Sequence, residues 1–129
     1  MRTIKFRILV SDGWKYFTLD DLLSGMYLGV EIDNDKMLAK CQFTGLLDKN
    51  GKEIYEGDII QFPPSWEGAS GMIVEVFWGS MVRSLGWKEK RWYNGKELST
   101  TELDGEFIER IGEVIGNVWE NPSLLKEKI

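Results

Sequence analysis

Short runs of alternating hydrophobic and polar residues dominate this chain, and a period of two predicts β-strands. The first run, TIKFRILV, separates apolar from polar residues onto opposite faces: Ile4, Phe6, Ile8 and Val10 against Thr3, Lys5 and Arg7. After the turn SDG, residues 14–17 (WKYF) can pair back on this run. The chain is therefore predicted to begin with a half-buried β-hairpin.

The period changes in TLDDLLSGM, where the pattern predicts a short helix. Thr18 is a suitable N-cap, and Asp20 and Asp21 stand in the first turn, where the helix dipole favours negative charge. The apolar residues fall on one face: Leu19, Leu22, Leu23 and Met26. Gly25 is predicted to end this helix.

Further strands are predicted through the middle of the chain. VEID and MLAKCQF read as two strands around the polar turn NDK. MIVEVFW is apolar on nearly both faces, which is typical of a central strand, and WKEKRWY follows as a strand closed by the turn NGKE. The polar residues 98–105 (LSTTELDG) are predicted to form a surface loop.

The last part of the chain is predicted to contain one strand, or a bent pair, in FIERIGEVIGNVWE. NPSLLKEKI then predicts a short C-terminal helix, with Asn121 as cap and Pro122 at the first helical position. Seven or so short strands with closely spaced turns favour an all-β barrel or sandwich with small helical additions.

Composition bounds the class of protein. The 129 residues suit one compact unit, and 43% hydrophobic with 29% charged residues is ordinary for a globular domain. The apolar runs are too short for a transmembrane helix or a signal-peptide core, so we expect a cytoplasmic protein with no membrane association.

The residues for common catalytic chemistry are scarce. The chain has no histidine and one cysteine, Cys41, which sits in an apolar pattern that predicts a buried thiol. We therefore expect no enzyme activity, no catalytic residues, no metal site and no cofactor. The formal charge of −5 argues against strong nonspecific binding to nucleic acid.

The most legible stretch is TGLLDKNGKEIYEGDII, residues 44–60. DKNG and EGD supply residues that tolerate tight turns, and Asp58 can accept hydrogen bonds from nearby backbone amides. An alternative is a carboxylate pair or cation site from Glu53, Glu56 and Asp58, but acids beside glycine most often cap turns. The residues interpreted as turn geometry are Gly45, Asn50, Gly51, Gly57 and Asp58.

One segment combines basic and aromatic residues, as in sites for single-stranded nucleic acid. Residues 83–93 carry a local charge of +3, whereas residues 96–113 carry −4 and could orient a partner. On a strand, however, alternation mixes charges and rings on both faces, which favours a solvated strand. Trp66, in the loop PPSWEGASG, is either an interface anchor or folded back over the mouth of the barrel. The candidate binding residues are Trp66, Lys88, Lys90, Arg91, Trp92 and Tyr93.

The stretch QFTGLLDKNGKEIYEGDII at 42–60 resembles the signature segment of the YopX family, small proteins encoded by bacteriophages and prophages. The opening MRTIKFR and GEVIGNVWENPSLL at 112–125 resemble the ends of that family. The resemblance implies a small SH3-like β-barrel with a C-terminal helix at 46–129, after an N-terminal β element with a short helix at 1–45. It implies no established activity and no ligand-binding residues.

Together these features predict a non-enzymatic phage or prophage accessory protein, in the bacterial cytoplasm, that binds a host or phage macromolecule. The alternative is a nucleic-acid-binding barrel that uses the 83–93 strand. Homo-oligomerisation also stays open, because the opposite charges of residues 83–93 and 96–113 could orient self-association.

Overall fold

A computed structural model describes residues 4–23, 38–63, 72–79 and 86–126. These residues form a mainly β fold of two antiparallel sheets, as the pattern predicted. The strands are β1 (Lys5–Val10), β2 (Gly13–Thr18), β3 (Ala39–Leu47), β4 (Glu53–Tyr55), β5 (Asp58–Gln61), β6 (Ile73–Gly79), β7 (Gly86–Tyr93), β8 (Lys96–Glu102) and β9 (Glu113–Asn117). The helices are α1 (Leu19–Leu23), α2 (Gly105–Ile111) and a 3-10 helix (Pro122–Lys126). No helix among the described residues is long and apolar enough to cross a membrane.

The first sheet has the order β2-β1-β3-β4, and the predicted hairpin of β1 and β2 is confirmed. The prediction that β1 has one polar, solvent-facing side is wrong. Arg7 lies opposite Cys41 of β3 and is only 5% exposed. Ile8 on the other face is also buried. The alternation assigns Arg7 and Ile8 to opposite faces correctly, but both faces of this strand are buried at these positions.

Helix α1 begins as the sequence predicted. The Asp21 N–H donates to Thr18 Oγ1 (3.2 Å), and the Thr18 N–H donates to Asp21 Oδ2 (2.8 Å). This reciprocal capping satisfies two backbone donors at the helix start. The predicted end at Gly25, and the strand predicted before the NDK turn, lie outside the described residues, whereas the strand predicted after that turn is β3.

The second sheet has the order β8-β7-β6-β5-β9. Its central strand β6 is the predicted MIVEVFW strand, with Val74 and Val76 completely buried. The predicted turn between β7 and β8 is present, and Asn94 (φ 53°) and Gly95 (φ 81°) both adopt the left-handed conformation that a tight hairpin turn requires.

Two predictions for the C-terminal part are wrong. In the predicted surface loop 98–105, residues 98–102 instead belong to strand β8, because the Asn94–Gly95 turn folds this strand back onto β7. They are polar because most of them remain exposed on an edge strand.

Residues 105–111 form helix α2 and not a strand. Asp104 caps the helix, since its Oδ1 accepts a hydrogen bond from the Phe107 N–H (3.1 Å). Ile108 is completely buried in the core of the second sheet, and Phe107 and Ile111 pack against that core. The strand prediction holds only for β9. The predicted C-terminal helix is a 3-10 helix over its described part, which ends at residue 126.

The buried apolar residues form two cores, and Ile54 of β4 belongs to the core of the second sheet. One core centres on residues of β5, β6 and α2, and the other on Leu9, Ala39, Cys41, Phe43 and Tyr55. The described strands form two open sheets with no closed barrel. The two sheets meet where the chain passes from β4 into β5.

Candidate functional site

The turn from β4 into β5 joins the two sheets. Gly57 has a φ of 86°, which glycine adopts readily and other residues resist. Its N–H donates to the Val76 carbonyl (2.7 Å), and its carbonyl accepts from the Val118 N–H (2.9 Å). A Cβ at this position would overlap the Trp119 ring. The backbone conformation and the Trp119 ring packed on this residue therefore both require glycine at position 57.

Asp58, the next residue, is buried and pairs with Arg7 from the other sheet. The Arg7 Nη2 lies 2.5 Å from Asp58 Oδ1, and Asp58 Oδ2 accepts a hydrogen bond from the Tyr55 N–H (2.8 Å). Burial raises the pKa of the Asp58 carboxyl, while the Arg7 charge and the Tyr55 N–H act in the opposite direction. This pair connects β1 to β5 across 51 residues of sequence.

Aromatic rings enclose the Arg7 guanidinium. Its Cζ is 4.0 Å from the ring centroid of Trp14 and 4.6 Å from that of Tyr55. A guanidinium over an aromatic face is attracted by the ring quadrupole, more strongly when both are shielded from water. Trp14 in turn contacts Trp119 edge to face, with centroids 6.3 Å apart. The stack thus runs from the first sheet to the turn after β9.

The turn after β9 holds its own carboxylate in place. Asn117 Oδ1 accepts from the N–H groups of Trp119 (3.1 Å) and Glu120 (2.9 Å). Glu120 Oε1 accepts from Asn117 Nδ2 and from Trp14 Nε1, both at 2.8 Å. These two hydrogen bonds, from Asn117 first and then Trp14, lower the pKa of Glu120 and keep it anionic.

A cleft of about 290 Å³ opens where these groups meet, and we refer to it as the junction cleft. Two cations and two carboxylates face it together with aromatic rings and side-chain amides. Its Tyr16 is 58% exposed and contacts Tyr55 edge to face, with centroids 5.8 Å apart. The charged and aromatic lining residues are Arg7, Lys52, Asp58, Glu120, Trp14 and Tyr16.

The other predicted turn residues surround Asp48. Gly45 and Gly51 have φ values of 88° and 79°, as the turn chemistry predicted. Asp48 Oδ1 accepts from the N–H groups of Asn50 and Lys52, and Oδ2 accepts from the Val114 N–H, each at 2.9 Å. The turn is thereby tied to β9.

The remaining carboxylates of this stretch do not form a cation site in the described structure. Glu53 forms an ion pair with Lys5 (2.5 Å), and Asp58 forms one with Arg7. Within the described ranges, no three metal-ligating side chains come together.

The predicted binding residues of β7 do not form a basic track. Lys88 is 0% exposed, and its Nζ lies 2.7 Å and 2.8 Å from the two carboxylate oxygens of Glu102. Lys90 is 3.7 Å from Glu97, and Arg91 is 3.1 Å from Glu89.

The aromatic candidates differ in their exposure. Trp92 is half-buried and its indole nitrogen is enclosed, whereas Tyr93 is 43% exposed beside the hairpin turn. Trp66 lies outside the described residues. The structure therefore brings Asp58 to the junction cleft and places the β7 candidates on the second sheet.

Sequence reasoning missed Arg7, Trp14 and Glu120. Arg7 stood on the polar side of an alternating strand, and its partners are remote in sequence. A buried charge needs a partner, so burial of Arg7 would have pointed to an ion pair. No local pattern, however, indicated that Arg7 is buried.

Comparisons with known proteins place this chain in a family and agree with its fold. The crystal structure of protein EF1440 from Enterococcus faecalis superimposes with a TM-score of 0.54 at 20% sequence identity, covering 98% of this chain and 100% of that one. This likeness concerns the fold alone. Among curated proteins, none matches the chain. A sequence model of the YopX protein family matches residues 25–126, which confirms the resemblance, and the chain belongs to the YopX family.

Proposed function

We propose that this protein is a non-enzymatic accessory protein of phage or prophage origin, which binds a host or phage protein in the bacterial cytoplasm through the junction cleft. The observation that carries the proposal is an exposed aromatic residue, Tyr16, on a preformed cleft that offers charges of both signs. Aromatic residues beside arginine are enriched at the centres of protein interfaces. Trp119, 38% exposed, extends the aromatic surface through its contact with Trp14.

The state of the ionisable groups supports binding and not catalysis. Arg7 and Asp58 neutralise each other, and Glu120 is held by two donors. A general acid or base has to exchange a proton with its substrate, whereas these groups hold the fold together. Burial raises the pKa of Cys41 to about 11, which keeps the thiol protonated and weakly nucleophilic.

We also propose that residues 46–129 form the SH3-like barrel with its C-terminal helix that the family resemblance implies. The five-stranded sheet of β5 to β9 supports this, because its strands are short and antiparallel. An experimental structure of the whole chain tests the closure. Two sheets that stay open along their full length would contradict it.

Capture of a partner from phage-infected cells tests the binding function. We expect the tagged protein to retain one specific protein, and Tyr16→Ser to lose it. The matched control is Tyr93→Ser, because Tyr93 is also an exposed tyrosine but does not line the cleft. Calorimetry with the purified partner should then show weaker binding for Tyr16→Ser alone.

Two results would contradict the proposal. Equal loss in both tyrosine variants would place the binding surface elsewhere. Turnover in a broad hydrolase and transferase screen that follows the purified protein, and disappears on a single carboxylate substitution, would make the protein an enzyme.

A further inference from the structure

One carboxylate of the junction cleft is held in place and still has an oxygen available. The two side-chain donors that hold Glu120, Asn117 Nδ2 and Trp14 Nε1, both reach its Oε1. Within the part of the chain that the structure describes, no group donates to Oε2 and no cation forms an ion pair with Glu120. The Glu120 side chain is exposed. A carboxylate that is already oriented can bind an incoming cation with little further loss of entropy.

The charges around the cleft leave this carboxylate uncompensated. Arg7 lies 2.5 Å from Asp58, and the charge of Lys52 favours the ionised forms of Asp48 and Asp58. Arg7 also attracts Glu120, but its effect on the Glu120 pKa is weaker than that of either hydrogen bond. Two cations thus face three carboxylates, and the excess negative charge lies at Glu120. This part of the cleft therefore attracts a positive charge.

Aromatic rings border the same carboxylate. Trp14 and Tyr16 stand two residues apart on β2, so their side chains lie on one face of the strand, and both line the cleft. Tyr16 is 58% exposed, which leaves its ring open to a ligand. The aromatic cluster already binds one guanidinium, since the Arg7 Cζ is 4.0 Å from the Trp14 ring centroid. Aromatic rings and a carboxylate are the two kinds of group that bind an arginine side chain most effectively.

We propose that the junction cleft binds an arginine side chain of the partner protein, which stacks on Tyr16 and donates to Oε2 of Glu120. A guanidinium can make both contacts at once, because it stacks through its faces and donates in its plane, whereas the lysine ammonium is a strongly hydrated point charge. The inference rests on the proposed function, because it names what the partner presents to the cleft.

A nuclear magnetic resonance titration of the full chain with the blocked peptide acetyl-Gly-Arg-Gly-amide tests the subsite. The reporter is the indole N–H signal of Trp14, which donates to Glu120. We expect a saturable shift with a Kd on the order of a few millimolar, because a single side chain makes few contacts. The same peptide with citrulline, which keeps the shape but not the charge, should bind about tenfold more weakly. The lysine peptide should bind at least about threefold more weakly than the arginine peptide.

A pair of charge variants locates the subsite. Glu120→Gln retains an oxygen for both donors and removes only the charge, so it should weaken binding of the arginine peptide about fivefold. The matched control is Glu109→Gln, which changes the net charge equally on an exposed residue of α2 that does not line the cleft. The control should bind the peptide as the wild type does. Thermal unfolding of both variants shows whether the fold is retained.

Three results would overturn the inference. They are a citrulline or lysine peptide that binds as tightly as the arginine peptide, a Glu120→Gln variant that binds like the wild type, and equal weakening in Glu120→Gln and Glu109→Gln. The titration needs no partner, so the inference and the proposed function fail separately. A Tyr16-dependent partner with no binding of the arginine peptide would remove the inference alone. Binding of the peptide at the cleft with no Tyr16-dependent partner would support the subsite and remove the proposed function.

Discussion

Gly57 carries two constraints that can be separated by experiment. Its φ of 86° strains any β-branched residue, and the Trp119 ring occupies the space of a Cβ. Gly51 has a similar φ of 79° but nothing within 4 Å of an added Cβ. The two glycines therefore differ in packing and agree in backbone conformation.

We predict that Gly57→Val lowers the free energy of unfolding by about 2 to 6 kcal/mol, from backbone strain and overpacking together. Gly51→Val should lower it by only about 1 to 3 kcal/mol, from strain alone. Urea unfolding followed by tryptophan fluorescence measures both. Equal losses would mean that Trp119 moves aside without cost.

Asp48 gives the fold a dependence on pH. Burial raises its pKa, but the N–H groups of Val114, Lys52 and Asn50 outweigh that effect and hold the pKa below its ordinary value of 3.8. A carboxyl whose pKa is lower in the folded state contributes stability that is present above the unfolded pKa and is lost as the pH falls through the folded pKa.

We therefore expect the free energy of unfolding to fall below about pH 3.8 through this residue. Asp48→Asn should be less stable than the wild type near pH 7, and the difference should shrink in acid. The control is Asp12→Asn, in the exposed turn between β1 and β2. A difference between wild type and Asp48→Asn that is constant from neutral to acid pH would refute this account.

At the scale of the elements, the Arg7–Asp58 pair holds β1 against β5. Arg7 contacts two aromatic rings and the Asp58 carboxylate, so its removal leaves Asp58 buried without a counter-charge. Breaking a buried pair on one side is far more costly than replacing both partners by apolar residues.

We predict that Arg7→Met lowers the free energy of unfolding by about 3 to 5 kcal/mol. The double variant Arg7→Met with Asp58→Leu should recover part of this loss. Lys5→Met on the same strand is the control, because the Lys5–Glu53 pair is partly exposed and should contribute at most about 1 kcal/mol. A double variant whose losses simply add would show that the two residues are not coupled.

At the scale of the whole molecule, the cations of β7 are compensated by neighbouring carboxylates. Each of the three cations on β7 lies beside a carboxylate, and the chain as a whole carries a charge of −5. Release of counterions from phosphates, which drives most nucleic-acid binding, needs cations that can reach the backbone. The second sheet therefore offers a polyanion little attraction.

We expect labelled single-stranded DNA and RNA to show no saturable binding below about 100 micromolar, even at low salt. The readout is fluorescence anisotropy at two salt concentrations. Low-micromolar binding that weakens steeply with salt, and disappears in Lys90→Ala with Arg91→Ala while the fold survives, would restore the nucleic-acid alternative.

Local chemistry accounts for the features that the sequence determined by itself. The turn at Asn94 and Gly95, the positive φ of Gly57 and the cap at Thr18 depend on residues within a few positions of one another. The hairpin of β1 and β2 follows from a period of two, and the central strand β6 follows from a run that is apolar on nearly both faces. The family, too, was recognisable from the sequence, chiefly from residues 42–60, which contain the Gly57 turn.

The tertiary structure alone decided which faces are buried and which partners meet. Arg7 reads as a surface residue on β1 until β4 and β5 bring Tyr55 and Asp58 onto it. Helix α2 forms where a strand was predicted. Its apolar side chains are too few to show a helical pattern in the sequence, and the helix is stabilised by packing them on the second sheet. Strand β8 is polar along its length, so the hairpin that pairs it with β7 is what makes it a strand. Burial, pairing and ion-pair formation depend on the distance between residues in space, which a local pattern does not contain.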